Sequence, residues 1–106
     1  MNEAKELDMK LTQIMKQAKV LQERFKQQLD AIAVEAAAGG GMVKVKMNGN
    51  KVVTGVTIDA EVVNKDDIEM LQDLVTAAVN EAARKVDEAA QRELGSMAGN
   101  LPGLFT

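Results

Sequence analysis

The sequence has no cysteine, histidine, tryptophan or tyrosine, and only one proline and two phenylalanines. Without cysteine there is neither a disulfide framework nor thiolate chemistry, which is compatible with a reducing cytoplasm. The lack of histidine removes most zinc sites, the Ser/His/Asp and Cys/His nucleophile systems, and the usual general base near neutral pH. Few aromatic faces remain on which single-stranded bases could stack. No apolar run approaches membrane-spanning length. The opening MNEAKELDMK alternates charged and apolar residues and lacks the unbroken apolar core of a signal peptide. No enzyme, metal or cofactor is expected, because the carboxylates of the second half sit at helix-surface spacings and no polar cluster converges in sequence.

What remains is one domain's worth of chain. At 106 residues the protein buries only a modest share of its surface, so a homodimer interface is the expected further source of stability. The net charge of −3 argues against a polyanionic partner at first sight, but the charge is unevenly spread. Residues 1–58 carry nine Lys/Arg against six Asp/Glu, while residues 59–106 carry four against ten. The basic half can still meet phosphate.

The organising stretch is GGGMVKVKMNGNKVVTGVTID, from Gly39 to Asp59. Between Met42 and Met47, Val43, Val45 and Met47 fall on one face and Lys44 and Lys46 on the other, the alternation of a half-buried strand. Asn48-Gly49-Asn50 offers residues that tolerate positive φ, and Lys51 to Ile58 supplies a second β-branched run, so the pair reads as a hairpin. Ahead of it, AIAVEAAAGGG (31–41) is ambiguous. Alanine and glutamate favour helix, whereas Ile32, Val34 and Ala36 alternate as in a strand. Three consecutive glycines demand a sharp reversal, and a strand at 32–37 would then pair antiparallel with 42–47. We take the three-stranded meander. A phosphate-loop reading of GGGMVK fails for want of Walker spacing.

A helix over roughly 4–30 precedes the meander. Leu7, Leu11, Ile14, Ala18, Leu21 and Phe25 recur at spacings of four and three, the seam of a coiled coil, and such a seam wants another helix. Opposite the seam lie Lys16, Lys19 and Lys26, with Lys10 and Arg24 flanking. Over residues 10–26 five basic residues stand against one acidic residue. The face reads as solvated surface, as a phosphate-contacting ridge, or as a membrane-surface helix, the last weakened by the absence of tryptophan.

After the meander, Asp66 and Glu69 have capping-box spacing and open a second helix. Its stripe includes Ile68, Leu71, Leu74, Val75, Ala78, Val79, Ala82, Val86 and Ala89, and Gly95 is its expected end. Glu81/Lys85 and Glu88/Arg92 are spaced as i,i+4 pairs, which leaves Arg84 as the cleaner cationic candidate there. From Ser96 to Thr106 a flexible tail is expected, with Leu101, Leu104 and Phe105 as an alternative docking motif.

This order of elements resembles the YbaB/EbfC family of bacterial nucleoid-associated proteins. The resemblance is carried by MKQAKVLQERF (Met15–Phe25), the Gly39–Asp59 stretch, DIEMLQDLVTAAVNEAARKV in the second helix and NLPGLF near the end. It covers nearly the whole chain. It implies an α+β fold in the order α-β-β-β-α: a long N-terminal helix, a three-stranded antiparallel meander and a long C-terminal helix. The single domain would span residues 1–95, followed by the tail at 96–106. It further implies a tweezer-like cytoplasmic homodimer that binds double-stranded DNA in the nucleoid. The contact residues come from charge placement: Lys16, Lys19, Arg24 and Lys26 first, then Arg84, Lys85 and Arg92, acting on phosphates with little sequence preference. The alternative is a protein-interaction module, in which the seam or the LPGLF tail engages replication or recombination proteins and DNA contact is incidental.

Overall fold

Alternation and glycine lay out the middle of the chain, and two long stripes lay out its ends. The computed structural model describes residues 2–99, and the side chains of residues 2–96. Helix α1 (Asn2–Ala31) leads into strands β1 (Ala33–Ala38), β2 (Val43–Asn48) and β3 (Val53–Ile58), and helix α2 (Ile68–Gly99) closes the order. The fold is thus α-β-β-β-α, as expected. The strands form one antiparallel sheet in the order β1-β2-β3. Gly39, Gly40 and Gly41 all take positive φ in the turn between β1 and β2, a conformation that L side chains resist. A sharp reversal therefore wins over continuation of the helix.

Every second residue of β2 is buried. Val43, Val45 and Met47 form one buried cluster with Ile32, Ala36 and Val62 and with Ala78, Ala82 and Val86 of α2, while Lys44 and Lys46 point to the exposed face. Ala36 stands opposite Val45, and Val34 opposite Met47, so the inner face of β1 is small or β-branched. Ala78 and Ala82 are fully buried, and their size lets α2 lie close to the sheet. A larger side chain at either position would lift the helix off β1 and β2.

Of the three strands, α2 packs chiefly over β1 and β2, and it also touches α1. In register, Ile58 stands opposite Val43, Val56 opposite Val45 and Val53 opposite Met47, with a bulge at Lys46/Met47 that leaves Thr54 unpaired. Val53, Val56 and Ile58 therefore share the face that α2 covers elsewhere, yet they remain exposed. Val52, Val63, Ile68 and Met70 are exposed too.

α1 buries no residue at all. Only Phe25, Gln28 and Leu29, near its C-terminal end, are half-buried, and the seam residues Leu11 and Ile14 are 53% and 60% exposed. The helix is an arm. The molecule accordingly measures 79 × 26 × 18 Å with a radius of gyration of 21.7 Å, against about 13 Å for a compact domain of this length.

Three local expectations change. The N-cap of α2 is Asp67, whose Oδ1 accepts from the Met70 backbone N–H at 3.2 Å. Asp66 instead donates its own N–H to Asn64 Oδ1 at 2.9 Å, in the turn that precedes the helix. The helix also runs past Gly95 to Gly99, since a single glycine weakens a helix by about 1 kcal/mol without breaking it. Leu101, Leu104 and Phe105 lie outside the described residues. In the β2–β3 turn the left-handed residue is Lys51, at φ 61°, rather than one of Asn48-Gly49-Asn50.

Candidate nucleic-acid interface

Lys16, Lys19, Arg24 and Lys26 all lie exposed on α1. The helical repeat puts Lys16, Lys19 and Lys26 within roughly 80° of one another around the axis, and Lys16 and Lys26 about 15 Å apart along it. Arg24 sits about 80° to the other side of Lys16, toward the seam, and lines a shallow groove with Lys16, Gln17, Val20 and Leu21. Among the described residues none of these four cations has an ion-pair partner. Their charges are available to a ligand. The ridge holds one carboxylate, Glu23, while Asp30 at its base is engaged by Asn50 Nδ2 at 2.8 Å.

The three cations of α2 fare differently, and the structure reverses the pairing expected from spacing. Arg84 is the most committed. Its guanidinium holds Glu81 through Nε at 3.0 Å and Nη2 at 2.6 Å, and also contacts Glu88. The fork reaches one turn in each direction, which a lysine ammonium cannot do at once. The bond to Arg84 holds the Glu81 carboxyl below the usual carboxylate range, and Glu81 in turn pushes Arg84 further up. Because Glu81 is depressed in the folded chain, whatever stability the pair supplies is present above the ordinary carboxylate range and lost as pH falls through the lowered value.

Lys85 turns away from Glu81 toward the sheet. Its Nζ donates to the Glu35 carbonyl at 2.8 Å and so occupies a backbone acceptor on β1. Half-buried, it serves the sheet edge. Arg92 is exposed and has no ion-pair partner among the described residues. Of the three α2 candidates it is therefore the one left with an uncommitted charge. The start of α2 is acidic, with Asp66, Asp67, Glu69 and Asp73 exposed, and would repel a polyanion.

Two exposed cations outside the candidate set, Lys44 and Lys46, project from the face of the sheet opposite α2, across from Ala37 and Glu35. Their alternation with Val43, Val45 and Met47 already placed them on a polar face. The groups that anchor the base of α1, in the turn at Asn48–Lys51, left no trace in sequence beyond turn composition.

Comparison with known proteins agrees with this architecture. The sequence profile of the YbaB/EbfC DNA-binding family matches residues 8–101. A nucleoid-associated protein of Koribacter versatilis is 50% identical over 95 residues, covering 88% of this chain and 94% of that protein. One of Syntrophobacter fumaroxidans is 50% identical over 95 residues, with 85% and 86% covered. Among solved structures, an uncharacterized protein of Helicobacter pylori superposes with a TM-score of 0.70 at 23% identity, covering 83% of this chain and 92% of that one, a likeness of fold. By profile, by identity across nearly its full length and by order of elements, the chain belongs to the YbaB/EbfC DNA-binding family.

Proposed function

We propose that the protein binds duplex DNA as a homodimer, through phosphate contacts made by the basic face of α1 and with little sequence preference, as a component of the nucleoid. The observation that carries the reading is an arm of 30 residues with no buried side chain, on which Lys16, Lys19 and Lys26 share one free face. An unpaired ammonium on such a face neutralises phosphate and releases counterions wherever a duplex lies along it. The family and the nucleoid-associated relatives support DNA as the partner. The acidic start of α2 favours α1 as the surface that meets it.

A second copy of the chain accounts for what the single chain leaves uncovered. The seam of α1 from Leu7 to Leu21 is exposed, and so is the continuation of the core face on β3. Gln28 Oε1 is buried without a donor, and an orphan of that kind costs about 1–3 kcal/mol unless a partner group reaches it. The ridge offers exposed lysine ammonium groups, compact point charges that suit phosphate.

The test is a titration of binding to unrelated duplexes across salt concentration. A dimer that meets roughly six phosphates should give a log-log slope near −5, a loss on the order of a thousandfold between 50 and 200 mM salt, with similar affinity for each sequence. Absence of salt-dependent binding would overturn the reading in favour of a module for replication or recombination proteins that uses the exposed seam.

A further inference from the structure

Where α1 meets the sheet, three close approaches converge on the turn between β2 and β3. Asn50 Nδ2 donates to Asp30 Oδ1, in the last turn of α1, at 2.8 Å. Lys51 Nζ meets Asp87 Oδ1 of α2 at 2.7 Å. Between them, Gly49 lies so close to the backbone of Leu29 that a Cβ there would stand 1.9 Å from the Leu29 carbonyl oxygen and 2.7 Å from its carbon. That oxygen also accepts from the Ile32 N–H at 3.1 Å, where α1 gives way to β1. The turn itself is held by Asn48, whose Oδ1 accepts from the N–H groups of Asn50 at 3.0 Å and Val52 at 3.1 Å.

This is more than a chain reversal needs. Gly49 does not use the left-handed freedom of glycine, since the left-handed residue is Lys51. What requires glycine is the space taken by backbone of α1, and neither backbone can yield as a flexible side chain would. Lys51 keeps a strained φ while its side chain reaches α2, and Asn50 is spent on α1. One turn thus touches the base of the arm on one side and the second helix on the other.

We propose that this turn is the joint that sets the direction of α1 relative to the sheet and α2, and that Gly49 is a positioning residue for the DNA-contacting face. The proposal rests on the reading that α1 carries the phosphate contacts. Leverage makes small changes at the joint large at the ridge. Lys16 lies about 20 Å along the helix from Leu29, so a tilt of about 10° moves it by about 3 Å, close to the 3.4 Å axial spacing of phosphates along one strand. Beyond the joint, α1 has only half-buried Phe25, Gln28 and Leu29 to hold it within its own chain.

The chain has no cysteine, so spin labels can be attached at Gln13→Cys and Gln72→Cys on the two helices of the full-length protein. Diluting the labelled protein with excess unlabelled protein makes the measured distance an intraprotomer one. Gly49→Ala should shift the mean distance by about 3 Å or more. It should also reduce the salt slope of duplex binding by about one for each phosphate that the tilted arm no longer reaches, with sedimentation as in the parent and a lowered melting temperature, since the Leu29 backbone must move to admit the methyl group. An unshifted distance overturns the proposal, and so does a shifted distance with unchanged affinity and slope. If Gly49→Ala fails to fold, Asn50→Ala decides, because it removes the bond to Asp30 without adding bulk: a broadened distance distribution supports the joint, and one as narrow as the parent's overturns it. Failure of the parent protein to bind duplex would sink the functional reading, while the distances would still decide the joint.

Discussion

Reversing the ridge with Lys16→Glu, Lys19→Glu and Lys26→Glu is expected to abolish duplex binding while leaving helix content and self-association intact. The three side chains are exposed and unpaired among the described residues, and they lie opposite the seam, so the packing does not depend on them. On the proposed reading, each change would take a cation away from a phosphate and set a like charge against the DNA backbone, and a second chain would double both effects. With roughly six phosphates left unneutralised, the sequence-independent affinity that counterion release supplies has no remaining source on this face. Gel shift and circular dichroism, run together, check the expectation. A folded triple variant that binds as tightly as its parent would make the ridge a solvated surface and pass the role to Arg24, Arg92, Lys44 and Lys46.

The second large effect concerns β3. Val56→Asp together with Ile58→Asp should convert a dimer at micromolar concentration into a folded monomer. Val56 and Ile58 are 48% and 40% exposed in the single chain, so carboxylates there stay solvated and the monomer keeps its core. Under a second copy the same carboxylates would be stripped of water without a cation to meet them. An unpaired buried charge costs roughly 3–5 kcal/mol, which weakens association by a factor on the order of 10² to 10³ or more. Sedimentation reads the result directly. A variant that remains dimeric would place the self-contact on the α1 seam alone.

The fold was largely legible in the sequence because its signals are periodic. Val43, Val45 and Met47 alternate with lysines, Gly39 to Gly41 cannot extend a helix, and both long helices announce themselves by spacing. Boundaries were less legible where two polar residues compete for one role. Asp67 takes the cap expected of Asp66 because it lies next to the first helical residue, Ile68. Gly95 fails to stop α2 because its neighbours on both sides continue the helix.

The candidate site divides in the same way. The α1 cations are exposed, as their spacing from the seam predicts, but the seam is exposed as well, because α1 buries no residue within the single chain. Pairing on α2 was not legible, because a side chain chooses among partners at i−3, i+4 and across the fold. Arg84 took the two carboxylates that spacing had assigned to Lys85 and Arg92, and Lys85 found the Glu35 carbonyl fifty positions away in sequence. The role of Gly49 was hidden for a similar reason. Its constraint comes from the Leu29 backbone, which turn statistics cannot register.

The most direct test of DNA binding along α1 is photo-crosslinking from single introduced cysteines in the naturally cysteine-free chain. A cysteine-reactive crosslinker is placed in turn at positions 16, 19 and 26 on α1, and at positions 69 and 73 in the acidic start of α2, and each conjugate is irradiated with duplex DNA at low salt. Crosslinks from all three α1 positions, fading together as salt rises, with none from positions 69 and 73, are what a duplex lying along the α1 face predicts; crosslinks of equal yield from α2, or from α2 alone, would contradict it.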